Sequence, residues 1–360
     1  MTDLFIKVKI QQGQNLPFVL FCKPDSDKVV GVFQKNDHIY FLETFEEKGF
    51  AFAPFDAEEV PYIPLEHSDV YVETVHSKNY YFEPKTSNPN GVIGKDFFEE
   101  MVSKAVEAIN DKQFLKVVLS RKEEVAVPDF DIQTTMRKMI YQYPNAFKYC
   151  FSHPKIGTWL GATPEQFLNT NGNALKTVAL AGTQLATSSK NIIWQGKEEI
   201  EQQLVTDFIV DSLEDLVKEI TISSPYSVKA GNLWHIKTDI LARLKSKKSL
   251  KKIITALHPS SAVCGLPKQA AKEFILENEG YNREYYSGFL GELNIDFVTF
   301  RTLQTDLFVN LRCMKIIIAS KFAMTKAQLF IGCGITKDSN PVDEYIETVN
   351  KSMTMKKILE

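Results

Sequence analysis

Residues 329–351, LFIGCGITKDSNPVDEYIETVNK, decide how this chain is read. An apolar run leads into Gly332, Cys333 and Gly334, which predict a tight turn with backbone N–H groups open to an anion. Asn340 is then a natural N-cap and Pro341 a natural first helical residue. In the helix that follows, Val342, Tyr345, Ile346, Val349 and Met353 form one apolar stripe. Glu344, Glu347 and Lys351 fall opposite, with Glu347 and Lys351 at the spacing of an ordinary i,i+4 ion pair. Periodicity alone predicts that this acidic face meets solvent.

Working upstream, three stretches share its character: LFVNLRCMK (307–315), REYYSGFLGEL (283–293) and LHPSSAVCGLPKQAA (257–271). Arg312 on an apolar strand needs an anionic partner if buried. The helix pattern GKEEIEQQLVTDFIVDSLEDLV (196–217) places Ile200, Leu204, Val205, Phe208, Ile209, Leu213 and Leu216 on one arc, with Glu198 and Glu201 inside it. Carboxylates in an apolar region imply a cation, either a metal or an arginine. Oxygen donors without thiolate or histidine suit Mg²⁺.

Further upstream, FLKVVLSR (114–121) alternates, so Leu115, Val117 and Leu119 share one face while Lys116, Val118 and Ser120 share the other. Lys116 is either a snorkelling strand lysine or a desolvated general base. In GTWLGATPEQFL (157–168), Thr163 and Pro164 open a short turn with Glu165 just inside it, either at a helix start or as a general acid. LKTVALAGT (175–183) reads as a strand ending in Gly182 and Thr183. His235 in NLWHIKT is the one histidine in a notable context, and a satisfied core histidine is its first reading.

Residues 4–75 read as short strands (LFIKVKI, FVLFCK, VVGVF, IYFLE, FAFAPF) broken by turn residues. Ser77–Gly94 is the expected linker. From Lys95, helix and strand patterns succeed one another, predicting an α+β fold of mixed or antiparallel sheets with helices outside. Residues 1–93 are expected to form an N-terminal β-rich part of the same compact unit as the catalytic region 94–360.

Bulk properties narrow the function. A formal net charge of −3 argues against a nucleic-acid binder. Five dispersed cysteines form neither a disulfide framework nor a zinc site, which points to a reducing cytoplasm. No apolar run is long enough for a signal peptide or a membrane span. The basic cluster KSKKSLKK (245–252) is explained by a solvated helix face.

In their order, these stretches resemble the chorismate-utilising enzymes of the isochorismate synthase type, from about Lys95 to the C-terminus. The resemblance implies two mostly antiparallel sheets packed together, helices outside, a deep central cleft for chorismate, and Mg²⁺ dependence. It implies Lys116 as the base that activates water and Glu165 as the acid. Glu201 and Glu347, with Glu198 and Glu344 beside them, are the implied metal carboxylates. Arg312 and Tyr286 would receive the enolpyruvyl carboxylate; Gly182, Thr183, Gly334 and Lys351 would surround the ring carboxylate; His235 and Ala262 would line the ring. Amine-forming relatives typically carry glutamine at the Lys116 position, so no glutaminase subunit is implied, and a monomer is expected. Gln202 and Gln184 depart from a common histidine and arginine. Salicylate synthases, which go on to eliminate pyruvate, and a non-catalytic chorismate-binding protein are the competing readings.

Overall fold

The computed structural model describes residues 3–56, 58–75, 94–185, 192–194, 196–230, 233–246, 248–318 and 324–360. Apart from Gly94, the expected linker lies outside them. Two sheets dominate, and every strand pairing among the described residues is antiparallel. The first has nine strands, in the order Gly265–Leu266, Lys116–Ala126, Lys326–Ile335, Cys313–Ile317, Gly157–Thr163, Phe147–His153, Phe18–Cys22, Lys28–Gln34 and Ser68–Thr74. The second has ten. Nine follow in the order Val217–Ile222, Leu233–Leu244, Ala174–Leu185, Gln166–Asn171, Gln304–Val309, Phe289–Leu293, Gly49–Phe52, Pro61–Pro64 and Tyr40–Phe41, and Tyr226–Ala230 pairs with Leu233–Leu244.

The sheets pack face to face through an aromatic layer that includes Phe21, Phe147, Tyr149, Phe151, Trp159 and Phe330 from the first and Phe50, Phe52, Leu290 and Phe308 from the second. Rings stack across it: Phe52 lies on Phe151 with centroids 4.1 Å apart, and Phe308 on Phe147 at 4.4 Å. Such large apolar surfaces dominate core energetics, and the offset contacts add to burial. Helices cover the outer faces. Gly196–Glu214 and Ser249–Leu257 lie on the second sheet, while Asp3–Gly13, Ile132–Gln142 and Pro341–Leu359 lie on the first. Early strands enter both sheets beside late ones, Phe18–Cys22 against Phe147–His153 and Gly49–Phe52 against Phe289–Leu293. None of the described helices is long and apolar enough to cross a membrane.

Several elements differ from their sequence reading. LFIKVKI is helical, within Asp3–Gly13. Its period-two pattern competes with a helical face of Leu4, Phe5, Val8 and Gln11, and packing selects the latter, leaving Ile6 and Ile10 more than 40% exposed. LFVNLRCMK is two strands in different sheets rather than one. The Gly332–Gly334 segment is a continuous part of the strand Lys326–Ile335 and not a turn. The strand through Gly182 does not end there but continues to residue 185 past a bulge, at which Gly182 has φ 68°. No helix begins at Glu165.

Candidate active site

Two crossovers build the centre of the site. The chain leaves the first sheet at Thr163 and enters the second at Gln166, so Pro164 and Glu165 bridge the sheets. It returns from Val309 in the second to Cys313 in the first, so Arg312 bridges them in the opposite direction, with φ 48°. The crossovers are tied together: Val309 N–H donates to the Glu165 carbonyl (2.9 Å), and the Thr163 hydroxyl donates to the Val309 carbonyl (2.6 Å). Sheet switching thus brings an acid and a guanidinium to one cavity.

That cavity is about 290 Å³ and is lined by Lys116, Glu165, Gly182, Glu198, Glu201, His235, Ala262, Tyr286, Arg312, Gly334, Glu344, Glu347 and Lys351. These are the residues singled out from sequence with one exception: the Thr183 side chain lies outside the described part of the structure, and its backbone pairs with His235. Among the described residues, neither Gln184 nor Gln202 lines the cavity. Gln202 is buried and donates to the hydroxyls of Thr206 (3.0 Å) and Thr238 (2.5 Å), fastening the helix to the second sheet.

Lys116 is buried at 5% exposure, so it does not snorkel, and its Nζ meets Glu201 Oε1 at 2.6 Å. Val117 and Leu119, on the opposite face of the strand, pack under the helices Lys95–Asn110 and Lys268–Asn278. Gly334 makes room for the lysine: a Cβ there would stand 3.1 Å from Lys116 Cε. Gly332 does the same for Tyr286, whose hydroxyl would lie 2.6 Å from an added Cβ. Gly182 lets the helix Gly196–Glu214 approach, since its Cβ would meet Glu198 Cβ at 3.0 Å.

The helix Pro341–Leu359 is capped as expected, the Asn340 side chain accepting from Val342 N–H (3.0 Å) and Asp343 N–H (3.2 Å). Its packed face, however, is Tyr345, Thr348, Ser352, Met355 and Ile358, while Val342 and Ile346 are nearly half exposed. Glu344, Glu347 and Lys351 therefore face the cavity rather than bulk water. Lys351 pairs with Glu347 (2.6 Å) and donates to the Gly332 carbonyl (3.0 Å), on an edge of the strand Lys326–Ile335 beyond its last pairing with Cys313–Ile317. On the other acidic helix Ile200 points outward, at 64% exposure, so the arc read from sequence is narrower than expected.

Burial pushes the Glu165 carboxyl up to about 7, against the opposing charges of Lys116, Lys351 and Arg312. Glu165 is reached by solvent, but from a cavity hemmed in by protein, and this enclosure dominates. Burial also raises Glu344, with the neighbouring Glu347 charge adding to it. His235 is lowered by burial and by the charges of Lys351 and Arg312, which favours neutral imidazole. Arg312 is lowered by burial, while Tyr286, Tyr143, Glu347 and Glu165 act in the opposite sense. Its Nη1 donates to Thr354 Oγ1 (2.8 Å).

For a metal the donor chemistry is suitable though incomplete. Besides Glu165, the carboxylates of Glu198, Glu201, Glu344 and Glu347 line the cavity, and Thr336 Oγ1 on the same lining is buried without a hydrogen-bond partner among the described residues. No three described His, Cys, Asp or Glu side chains converge closely enough to hold an ion by themselves. Carboxylate and hydroxyl oxygens are the donors that a hard divalent cation takes, together with other oxygens that complete its shell. Thr336 was not evident from sequence; only its orphaned hydroxyl marks it.

Groups able to give and take protons stand here beside cations able to hold carboxylates, in one enclosed space. The chain belongs to the chorismate binding enzyme family, whose model matches residues 65–360. Over 268 residues, 72% of this chain, it is 28% identical to isochorismate synthase EntC of Escherichia coli; the match covers 66% of that protein, so the chain spans just under two thirds of its length. The solved structure of MenF, the menaquinone-specific isochorismate synthase from Escherichia coli, matches with a TM-score of 0.78 at 19% identity, covering 96% of this chain and 89% of that one. Anthranilate synthase component I from Streptococcus pneumoniae matches with a TM-score of 0.67 at 17% identity, covering 94% and 92%. At these identities the structural likeness is one of fold.

Proposed function

We propose that this chain converts chorismate to isochorismate: water adds at ring carbon 2, the double bonds shift, and the hydroxyl on carbon 4 departs. The observation that carries this reading is the presence of Lys116 and a Glu165 carboxyl pushed up to about 7 on one enclosed cavity. Water needs a base to become a competent nucleophile, and hydroxide needs a proton to leave. Lys116, in its uncharged form, takes the proton from the attacking water. Glu165, protonated below about pH 7, gives one to the carbon 4 oxygen.

The remaining residues orient and neutralise. Arg312 and Tyr286 receive the enolpyruvyl carboxylate; Gly182, Thr183, Gly334 and Lys351 surround the ring carboxylate; His235 and Ala262 shape the ring pocket. Glu201 and Glu347, with Glu198 and Glu344 beside them, would hold Mg²⁺. When bound, that ion offsets the charge of the ring carboxylate conjugated to the shifting bonds. A fold shared with an anthranilate synthase component leaves the choice of nucleophile to individual residues, and Lys116 favours water over ammonia. On this reading the chain needs no glutaminase and acts as a monomer. The pairing of early strands with late ones supports taking 1–93 and 94–360 as one catalytic unit.

The test is chromatography of products after incubation with chorismate, with and without Mg²⁺. Isochorismate without salicylate or pyruvate is expected. Salicylate with pyruvate would reassign the chain to the pyruvate-eliminating reaction, and no turnover, with Lys116→Ala indistinguishable from the unaltered protein, would sink the proposal.

A further inference from the structure

Neither Glu279 nor Arg283 is among the residues lining the cavity, yet both are almost wholly buried, at 3% and 2% exposure. They form a bidentate ion pair in which Arg283 Nε donates to Glu279 Oε2 (2.8 Å) and Nη2 to Oε1. What the pair touches is the backbone of the site. The strand Lys116–Ala126 is paired along one side by Lys326–Ile335; on the other side, among the described residues, Gly265–Leu266 pairs with Lys116 and Val117, and the last backbone bond is from Val118 N–H to the Cys264 carbonyl (2.8 Å). Beyond that point the Val118 carbonyl accepts from Arg283 Nη2 (2.6 Å), and Ser120 N–H donates to Glu279 Oε1 (2.7 Å), joined by the Ser120 hydroxyl (2.9 Å). One side-chain donor and one side-chain acceptor, bonding backbone groups two residues apart, thus replace the next strand of the sheet.

The same guanidinium reaches the other side of the cavity. Arg283 Nη1 donates to the Val263 carbonyl (3.0 Å), beside Ala262, and its Cζ lies 5.7 Å from the centroid of the Tyr286 ring. The Arg283 carbonyl accepts from Tyr286 N–H (2.9 Å). Buried ion pairs add little net stability over apolar residues of equal volume, so what this one contributes is the geometry it imposes.

We infer that Glu279 and Arg283 are positioning residues, completing the free edge of the strand that carries Lys116 and clamping the turn that carries Tyr286. The inference rests on the roles proposed above for Lys116 and Tyr286. Glu279→Gln keeps an oxygen for Ser120 but loses the charge; Arg283→Lys keeps the charge but cannot span Val118, Val263 and Glu279 together.

With kinetics normalised to folded protein, Glu279→Gln is expected to lower kcat with little change in KM for chorismate. Arg283→Lys should lower kcat on the order of 10²-fold and raise KM as well. Folded variants with unaltered kcat and KM but a lower melting temperature would show a purely structural pair and overturn the inference. Should neither variant fold, amide exchange in the unaltered protein decides: Ser120 N–H must exchange only with global unfolding, and exchange through local opening counts against the pair. If the unaltered protein does not turn over chorismate, the proposed function fails, while the exchange measurement still judges the clamp.

Discussion

Lys116 and Glu201, 85 residues apart in sequence, meet in the cavity as an ion pair 2.6 Å long. One is the proposed base and the other a proposed metal carboxylate, so each holds the other's charge. A cation bound at Glu201 would compete with the lysine for that carboxylate.

Mg²⁺ titrations should expose that competition. Mg²⁺ is expected to raise the melting temperature of Lys116→Met more than that of the unaltered protein, because the variant removes the ammonium that competes with a metal for Glu201. Activity of the unaltered protein should disappear with chelator, and Lys116→Met should lose about 10²–10⁴-fold in kcat. Calorimetric scans with and without Mg²⁺, beside product assays, check both, and an equal Mg²⁺ shift in the two proteins would contradict the pairing.

The pH dependence follows from Glu165. As a general acid it must carry its proton, so kcat/KM should fall as pH rises through about 7, the value to which burial pushes it. In Glu165→Gln that limb should vanish along with most of the activity. Stability has the same sign. A carboxyl raised from 4.5 to about 7 in the folded state binds protons better there than in the unfolded chain. Its stabilising contribution is complete below about 4.5 and lost as pH rises through 7. Denaturant midpoints across that window should fall less steeply for Glu165→Gln.

Two glycines of one strand should separate the two sides of the chemistry. Gly334→Ala puts a methyl 3.1 Å from Lys116 Cε and should reduce kcat by displacing the lysine. Gly332→Ala meets the Tyr286 hydroxyl at 2.6 Å and the Leu119 carbonyl at 2.8 Å. It should destabilise by about 1–3 kcal/mol and raise KM through Tyr286. Equilibrium unfolding and steady-state kinetics on both variants give the comparison.

Asn340→Ala removes the acceptor for two helix N–H groups and should cost about 1 kcal/mol by equilibrium unfolding. Because Glu344 and Glu347 lie in the first two turns of that helix, apparent Mg²⁺ affinity should weaken too. Unchanged affinity would separate the cap from the site.

Legibility varied by residue for identifiable reasons. Lys116 was readable because strand alternation assigns faces without tertiary information, and its neighbours Val117 and Leu119 do pack under helices. Glu198 and Glu201 were readable as carboxylates on an apolar arc, although the outward Ile200 shows that the arc was drawn too wide. Glu165 and Arg312 were not placeable, since a chain that leaves one sheet for another carries no local pattern saying so. Glu279 and Arg283 have the i,i+4 spacing of an ordinary surface pair, and nothing in that spacing shows that both are buried.

By itself the sequence determined an α+β chain of mixed or antiparallel strands and outer helices, a lysine on the strand face opposite Val117 and Leu119, and an ordered set of motifs resembling one enzyme family. Local periodicity suffices for that, because it records which side of an element is unlike the other. Only the tertiary structure decided that the face bearing Glu344, Glu347 and Lys351 looks into a cavity while Val342 and Ile346 look out. A polar face has the same pattern whether it meets bulk water or an enclosed polar site, and the difference lies in what the two sheets bring opposite it.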